Sequence, residues 1–383
     1  MAVGITYYVA TNGANVSPYT NWANAAVTIT AAVSAATDGD TVLVSNGVYS
    51  TTPGSHIILD KGITLTSVNG YAHTIVAGNQ PPTISNRVFY LNHTNVVVDG
   101  FSITNGYSDL GGGIYLSRGT VRNCLITGNI PAGGGNRLGG GIFMPNTVGY
   151  YSNRLVENCT IEYNIGIQSQ GAGVYGLQGG QFINCIIRNN LCQSYGGGIG
   201  MSGQGWFLKN CLIYNNQNTH SSYDGGGIYV GVTNSTIINC TIVSNYSARF
   251  GGGVYIATLV DTNTFINCII YSNACASGSS TNGNIYDSRY PTNSSPIFSN
   301  CCSTSNRTFH ANENNNITNE PLISDWNGLN YRLQTCSPCI NAGVNQSWMN
   351  SAVDLDGLQR IRYGTVDIGC YECIMQGTIC RFY

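Results

Sequence analysis

The stretch Asn239-Cys240-Thr241-Ile242-Val243-Ser244-Asn245 is one of six copies of a single pattern, Asn-Cys-x-Ile-x-x-Asn. The other copies begin at Asn123, Asn158, Asn184, Asn210 and Asn267. Successive cysteines of the pattern are separated by 35, 26, 26, 29 and 28 residues. A pattern that recurs with a period of this size indicates a repeat architecture.

A second pattern, Gly-Gly-Gly-Ile/Val-Tyr/Phe, alternates with the first. It occurs at residues 111–115, 139–143, 225–229 and 251–255, with weaker copies at 171–175 and 196–200. Both patterns are short β-branched runs with apolar residues two positions apart, bounded by Gly or Asn, which predicts strands. Strands without intervening helices bury their apolar side by coiling, with successive coils stacked in parallel about 4.8 Å apart. The sequence therefore predicts an all-β protein, a right-handed parallel β-helix.

Stacking of the coils would align the cysteines, the isoleucines and the terminal asparagines of the pattern in three columns. Asparagine amides in a turn can hydrogen-bond along the stack, and asparagine tolerates the left-handed α conformation. The triple glycines suit a sharp corner where adjacent coils lie close together. Parallel thiols that point the same way form poor disulfides, so we predict that the repeated cysteines are buried and reduced. The remaining cysteines are candidates for disulfides.

The repeats divide the chain into three predicted parts. Residues 1–40 comprise a strand and a helix, expected over residues 22–36, that would cap the open end of the stack. Residues 41–303 form the coils of the parallel β-helix. Residues 304–383, in which the patterns stop, form an irregular C-terminal cap.

The composition excludes several classes of partner. Only 8% of the residues are charged and the formal net charge is −2, which argues against binding of nucleic acid or of a membrane surface by charge. No apolar run reaches the roughly 18–20 residues of a transmembrane segment. Residues 1–5 lack a basic segment followed by a long apolar one, so a signal peptide is not present in this numbering.

Both ends of the chain resemble known bacterial proteins. The opening segment 38–49, Asp-Gly-Asp-Thr-Val-Leu-Val followed by Gly-Val-Tyr, resembles the start of parallel β-helix proteins of the pectate-lyase-like superfamily. The tail, with Ser-Pro-Cys-Ile-Asn-Ala-Gly at 337–343, Asp-Leu-Asp-Gly at 354–357 and Asp-Ile-Gly-Cys-Tyr-Glu at 367–372, resembles the choice-of-anchor Q region. It departs from that region at Cys370, where alanine is usual. The glycine corners also resemble the repeats of polymorphic outer-membrane and autotransporter adhesins.

These resemblances imply an exported protein, secreted or held at the cell surface. Many relatives in the superfamily are surface proteins of unknown function, and others are polysaccharide lyases. The resemblance therefore implies fold and export more strongly than it implies any chemistry.

Two predicted outward columns hold the charged candidates for catalysis. The first contains Arg122, Glu157 and Lys209, and the second contains Glu162 and Arg188. In one interpretation Arg122 lies over Glu157, and Glu162 over Arg188, as surface ion pairs that each contribute less than about 1 kcal/mol. In the other, Lys209 or Arg188 is the base of a polysaccharide lyase. The acidic motifs of β-helix glycoside hydrolases are absent from the sequence.

An aromatic column and an acidic turn are the other candidate sites. The residue after the inward Ile or Val of each corner would point outward and could stack on sugars or on another protein, or only on its neighbours. These residues are Tyr115, Phe143, Tyr175, Tyr229, Tyr255 and Tyr286. In the tail, Asp354 and Asp356, with Asp367 and Glu372, could bind Ca²⁺, or could form a hydrogen-bonded turn in which Arg360 pairs with one of these acids.

Two hypotheses follow for the function. In the first, the protein is an exported structural or adhesive β-helix that binds glycan, a partner or copies of itself through its long faces. In the second, it is an enzyme that degrades an acidic polysaccharide, a lyase rather than a hydrolase. The low charge and the missing catalytic motifs favour the first hypothesis, with no cofactor other than Ca²⁺ at the acidic turn.

Overall fold

The computed structural model describes residues 4–78, 85–131, 137–147, 153–167, 170–231, 234–257, 263–277, 281–288, 296–304 and 313–374. Its strands coil into a parallel β-helix, which confirms the predicted fold. One regular coil contains the strands Ile228–Val230, Thr236–Ile238, Thr241–Val243 and Tyr246–Ser247. Each strand pairs in parallel with its counterpart in the next coil, as Ile228 does with Val254. The two sequence patterns therefore mark two different sides of one coil, with the strand Thr236–Ile238 between them.

The strands of the described residues form three parallel sheets. The long sheet has 18 strands: Thr6–Val9, Thr41–Val44, Ile57–Leu59, Thr64–Ser67, Phe89–Asp99, Ile114–Arg122, Ile142–Met144, Arg154–Glu157, Val174–Gly176, Gln181–Ile183, Ile199–Met201, Phe207–Lys209, Ile228–Val230, Thr236–Ile238, Val254–Ile256, Thr264–Ile266, Ile285–Asp287 and Ile297–Ser299. The second sheet has ten: Gly47–Ser50, Thr74–Ala77, Ser102–Thr104, Leu125–Thr127, Thr160–Glu162, Ile186–Arg188, Leu212–Tyr214, Thr241–Val243, Ile269–Tyr271 and Cys302–Ser303. The short sheet has five: Ile165–Gly166, Leu191–Cys192, Gln217–Asn218, Tyr246–Ser247 and Ala274–Cys275.

The terminal asparagines of the repeated pattern form a buried ladder along the stack. The Nδ2 of each donates to the Oδ1 of the asparagine in the next coil at 2.9 to 3.1 Å. The same Nδ2 also donates to a backbone carbonyl of the preceding coil at 2.8 to 3.0 Å. This asparagine ladder comprises the six pattern residues Asn129, Asn164, Asn190, Asn216, Asn245 and Asn273. It ends at Asn284, which accepts from Asn273 and whose own Nδ2 donates to Thr304. The ladder confirms the predicted asparagine column.

The left-handed conformation is found at other positions than the ladder. The first asparagine of each pattern has φ between 50° and 54°, and so does the residue before the ladder asparagine at most coils, with φ of 53° at Tyr163 and 54° at Asn189. The ladder residues are not among those with positive φ. Tolerance of this conformation therefore explains the first asparagine of the pattern, whereas hydrogen bonding explains the last.

The glycine corners lie against the asparagine ladder. A Cβ placed on Gly227 would come within 2.6 Å of the carbonyl oxygen of Gly253 and 3.0 Å of the Nδ2 of Asn245. A side chain at this position would therefore collide both with the next coil and with the ladder. This close approach explains the third glycine of the corner, whereas the first glycine adopts positive φ, as Gly225 does at 81°.

The cysteines of the pattern are free and buried in the core column. Each thiol of the regular coils donates to the carbonyl two residues earlier, as the Sγ of Cys240 does to Ile238 at 3.3 Å. Outside the pattern, Cys336 is disulfide-bonded, while Cys192, Cys275, Cys302, Cys339, Cys370 and Cys373 form no disulfide. The disulfide prediction was wrong for these six, and Cys380 lies outside the described residues.

The N-terminal helix is shorter than predicted. It spans Ile29–Ala35, begins at the capping side chain of Thr28, and buries Ile29 and Val33 against the first strands. The Nζ of Lys61 donates to three carbonyls at the C-terminal end of this helix, the shortest contact being 2.7 Å to Ala36. Trp22 lies before the helix and packs edge-on against Tyr8, with 4.6 Å between ring centres.

The C-terminal region both extends the stack and folds back along it. Short helical segments lie at Thr281–Asn284, Glu313–Asn315 and Ser347–Asn350, and a small antiparallel pair joins Ile323–Asp325 to Asn330–Leu333. The backbone of Ile317 pairs with the coil that ends at Ser303. Beyond it, the chain packs laterally: Tyr331, Cys339 and Ile368 are buried against Tyr214 and Val243 of the second sheet. The described part of the tail beyond Ile323 therefore forms a lateral strap along the coils, while the segment at Ile317 extends the stack at its end.

The first asparagines of the pattern attach this strap to the coils. The side chains of Asn210, Asn239 and Asn267 donate to the tail carbonyls of Val353, Asp367 and Val344 at 2.8, 3.2 and 3.0 Å. Asparagines of this column also bond to one another, as Asn184 does to Asn158 and Asn267 does to Asn239.

We predict that Asn216→Ala lowers the free energy of unfolding by about 2 to 4 kcal/mol, because it leaves the donors of Asn190 without their acceptor inside the fold. The adjacent Gln217→Ala, at an exposed side chain, should change it by less than about 0.5 kcal/mol. Urea unfolding followed by circular dichroism measures both. Equal effects of the two substitutions would contradict the role assigned to the ladder.

Candidate functional site

The aromatic residues of the glycine corners lie in one column on the outer side of the long sheet. Strand register aligns Tyr115 with Phe143, Phe143 with Tyr175, Tyr229 with Tyr255 and Tyr255 with Tyr286. Tyr90 extends the column by one coil, and Gly200 interrupts it. We call this column the aromatic ladder: Tyr90, Tyr115, Phe143, Tyr175, Tyr229, Tyr255 and Tyr286.

The rings of the aromatic ladder stack mainly on one another. Tyr229 and Tyr255 have ring centres 5.5 Å apart with planes inclined by 7°, and Tyr255 and Tyr286 have centres 5.6 Å apart inclined by 10°. Tyr90 and Tyr115 stack at 4.8 Å. Since their faces are turned toward neighbouring rings, these residues offer ring edges and hydroxyl groups to a ligand, rather than free faces.

Burial divides the aromatic ladder into open and covered parts. Tyr115, Tyr229, Tyr255 and Tyr286 are partly exposed. Phe143 and Tyr175 expose only 1% and 4% of their surface. The prediction that these two residues contact a ligand therefore needs correction, because neighbouring parts of the protein cover them.

A second row of residues, immediately before the triple glycines, flanks the ladder and was missed in the sequence. Tyr195 lies 4.3 Å from Tyr229, and Phe250 stacks at 4.3 Å on Tyr286, both measured between ring centres. Asp224 occupies the same position in the coil between them. The N–H that follows Tyr195 donates to the carbonyl of Asp224, and the N–H that follows Asp224 donates to the carbonyl of Phe250. The signal was available as the residue preceding each Gly-Gly-Gly, where aromatic side chains occur in the two coils on either side of Asp224.

Asp224 and Arg249 place opposite charges beside the open part of the ladder. The Nη1 of Arg249 lies 3.2 Å from the Oδ2 of Asp224, and the guanidinium lies 5.3 Å from the ring centre of Phe250. Asp224 is 2% exposed, whereas the side chain of Arg249 is 42% exposed. Burial raises the pKa of Asp224 to about 6, because solvent screens the arginine more than it hydrates the enclosed carboxylate.

A second guanidinium lies at the N-terminal end of the ladder. Arg87 lies 4.9 Å from the ring centre of Tyr115, and its Nη2 donates to the carbonyl of Leu110 at 2.7 Å. Burial lowers the pKa of Arg87. His56 packs 5.8 Å from Tyr90, and burial lowers the pKa of this imidazole too.

The first charged column has the predicted register but a different ion pair. Arg122 aligns with Glu157, yet its Nε pairs with Asp99 of the preceding coil at 2.8 Å. Lys209 lies further along this column, and its Nζ is 4.5 Å from the ring centre of Trp348 in the tail. Burial lowers the pKa of Lys209.

In the second column the predicted ion pair is present. The Nε of Arg188 lies 2.5 Å from the Oε2 of Glu162, and its Nη1 donates to the hydroxyl of Tyr214 at 2.6 Å. Tyr214 is covered by the tail. The five charged candidates thus lie on two separate columns, and the structure does not gather them into one cleft. Arg122, Glu162, Arg188 and Lys209 contact local partners.

The acidic residues of the tail are held by backbone donors. Asp354 accepts the N–H groups of Asp356, Leu358 and Glu372 at 2.7 to 2.9 Å, and Asp367 accepts those of Asn341 and Cys373. Asp356 pairs with Arg332, and Arg360 pairs with Glu372.

These contacts match the second alternative from the sequence, a hydrogen-bonded turn in which the buried Arg360 pairs with an acid. Among the described residues there is no group of three His, Cys, Asp or Glu side chains placed to hold a metal ion. Ca²⁺ binding stays a prediction from the sequence.

Comparison with known proteins identifies the fold and no family. No family model matches the chain, and no curated protein matches it. Among solved structures, pectate lyase Pel9A has a TM-score of 0.59 at 17% identity, over 97% of each chain. The pectin methylesterase of Aspergillus niger has a TM-score of 0.43 at 13% identity, over 75% of this chain and 91% of that one. The similarity to the pectate lyase confirms the right-handed parallel β-helix.

The finer resemblances stay predictions from the sequence. Nothing in these comparisons supports the choice-of-anchor region or the adhesin repeats. Within the described residues, none of the helices has the length and apolar character needed to span a bilayer.

We predict that Asp224→Asn gains stability relative to the unsubstituted protein as the pH rises from 4 to 7. The folded pKa of about 6 exceeds the ordinary value of 3.8, so ionisation of Asp224 disfavours the fold progressively through this interval. The gain should be about 1 to 3 kcal/mol in urea unfolding. Asp60→Asn, at an exposed carboxylate, is the control. A stability difference between Asp224→Asn and the unsubstituted protein that does not vary with pH would contradict the assignment.

Proposed function

We propose that this protein binds a polysaccharide along the open part of its aromatic ladder, at Tyr229, Tyr255 and Tyr286. The observation that carries the proposal is the continuous array of partly exposed, stacked rings, one in each coil. Such an array repeats the same hydroxyl-bearing edge once per coil, with ring centres 5.5 and 5.6 Å apart, a spacing comparable to the length of one sugar residue. A polysaccharide, whose sugar units also repeat, can therefore make the same contact with each successive tyrosine.

The chemistry of the array suits hydrogen bonding to sugar hydroxyls. Burial raises the pKa of Tyr255 to about 12, so its hydroxyl remains protonated, and able to donate, at neutral pH. The exposed guanidinium of Arg249 beside the ladder can pair with an acidic group on the polymer. The shared fold with a pectate lyase supports a polysaccharide ligand by analogy.

The remaining functional hypotheses rest on the sequence. Secretion or display at the cell surface, an adhesive role and self-association are compatible with a glycan-binding solenoid, and none of them has its own structural observation. Cleavage of an acidic polysaccharide is the enzymatic alternative. One experiment can examine binding and cleavage together.

In that experiment, the purified protein is incubated with pectin, alginate, glycosaminoglycan and algal polysaccharides, with and without Ca²⁺. Binding is measured by co-sedimentation and affinity electrophoresis, and cleavage by unsaturated uronate ends and new reducing ends. We expect retention of at least one polymer by the unsubstituted protein. Cleavage that is lost in Lys209→Ala or Arg188→Ala would instead establish the lyase alternative.

Variants of Tyr255 locate the binding surface. We predict that Tyr255→Phe weakens binding about three- to tenfold through loss of one hydroxyl, and that Tyr255→Ala weakens it further through loss of the ring. Tyr246→Ala removes an exposed tyrosine of the short sheet and should leave binding unchanged. Circular dichroism confirms that each variant is folded. Equal affinities for all three variants would exclude the aromatic ladder as the binding surface.

A further inference from the structure

A groove of about 350 Å³ lies away from the aromatic ladder, where the second sheet turns into the short sheet. It follows the corner of the asparagine ladder over several coils. Its walls include Tyr163, Asn189, Leu191, Asn215 and Gln217. The proposed function leaves this surface unused.

Tyr163 adopts a strained backbone conformation in this groove. Its φ of 53° lies in the left-handed region, which bulky residues rarely enter. Other coils place smaller residues at the equivalent position, all with positive φ: Gly128, Asn189, Asn215, Ser244 and Ser272. Tyr163 is nevertheless 56% exposed, so packing of its ring does not offset the strain. A residue that keeps a strained backbone while its side chain stays exposed is the kind of outlier that suggests a binding role.

The polar side chains beside Tyr163 have unused hydrogen-bonding capacity. The amides of Asn189, Asn215 and Gln217 make no hydrogen bond to the described part of the chain, although buried asparagines of the same coils are fully bonded. Strand register sets Leu191 directly beside Gln217 in the next coil. The groove therefore combines one aromatic ring, one apolar contact and three free amides.

The groove also lacks formal charge. None of the described residues that line it is a carboxylate, an ammonium or a guanidinium. The nearby charges of Glu162 and Arg188 pair with each other. An amide both donates and accepts hydrogen bonds without charge, as a sugar hydroxyl does, whereas an acidic ligand would meet no cation here.

We propose that this groove binds a neutral oligosaccharide. Tyr163 packs its exposed ring against the C–H face of one sugar, and Leu191 extends that apolar contact. Asn189, Asn215 and Gln217 exchange hydrogen bonds with the hydroxyl groups of adjoining sugars, one coil apart. The groove thus supplies a second carbohydrate site that differs from the aromatic ladder both in position and in charge preference.

The test measures binding of cello-, xylo-, manno- and galacto-oligosaccharides, and of an oligogalacturonate, to the full chain by isothermal titration calorimetry. Tyr163→Asn removes the ring and places a residue suited to left-handed backbone at this position. We expect it to raise the thermal midpoint by about 1 to 3 °C. We expect the same substitution to weaken binding of a neutral oligosaccharide about tenfold or more.

Tyr71→Asn makes the same substitution at an exposed tyrosine outside the groove and should leave the affinity unchanged. Absence of binding by every neutral oligosaccharide at millimolar concentration would overturn the proposal. Retention of full affinity in Tyr163→Asn, or preference for the oligogalacturonate at this groove, would also overturn it. Tyr255→Ala separates the two sites, because it should leave binding at this groove unchanged even if polysaccharide binding at the aromatic ladder fails.

Discussion

The amides of the asparagine ladder join neighbouring coils, and the alignment of the coils depends on these contacts. The Nδ2 of Asn216, for example, donates to Asn245 in the next coil and to the carbonyl of Ile187 in the preceding one. Its Oδ1 accepts from Asn190. A slip by one residue would break these buried bonds and would turn each inward side chain outward. The ladder therefore fixes the register of the strands on either side of it.

Once the register is fixed, each position of the repeat becomes a column with one environment. The inward positions are filled by Ile and Cys, while the glycine corner is confined by the ladder itself. The outward positions are free to vary, and function can be placed there at little cost to the fold. The aromatic ladder and the groove at Tyr163 both occupy such positions, and both repeat at the spacing of the coils. This is why we propose polymeric or oligomeric sugars as the ligands of this protein.

The sequence was sufficient for the coils because buried positions repeat and their chemistry is restrictive. It was insufficient for the tail, which has no period and which packs by irregular contacts. A signal was nevertheless present: the outward column that holds Arg122 and Glu157 becomes apolar at Ile238 and Ile266, which indicates a covered face. The burial of Phe143 and Tyr175 could not be predicted from the sequence. The alternation of side chains along a strand shows which side of the sheet a residue faces, but not which other parts of the chain cover that side. Asp224 was missed because it occurs in a single coil, so no column marks it.

Hydrogen–deuterium exchange on Asn216→Ala tests the central claim, that the asparagine ladder holds the register of neighbouring coils. Mass spectrometry of peptides would compare the coil that contains Asn216 with those that contain Asn190 and Asn245. Our account predicts faster exchange in all three coils, strongest near the ladder corner, because each amide is bonded to both neighbours. Faster exchange confined to the substituted coil would contradict it and would leave backbone pairing as the determinant of register.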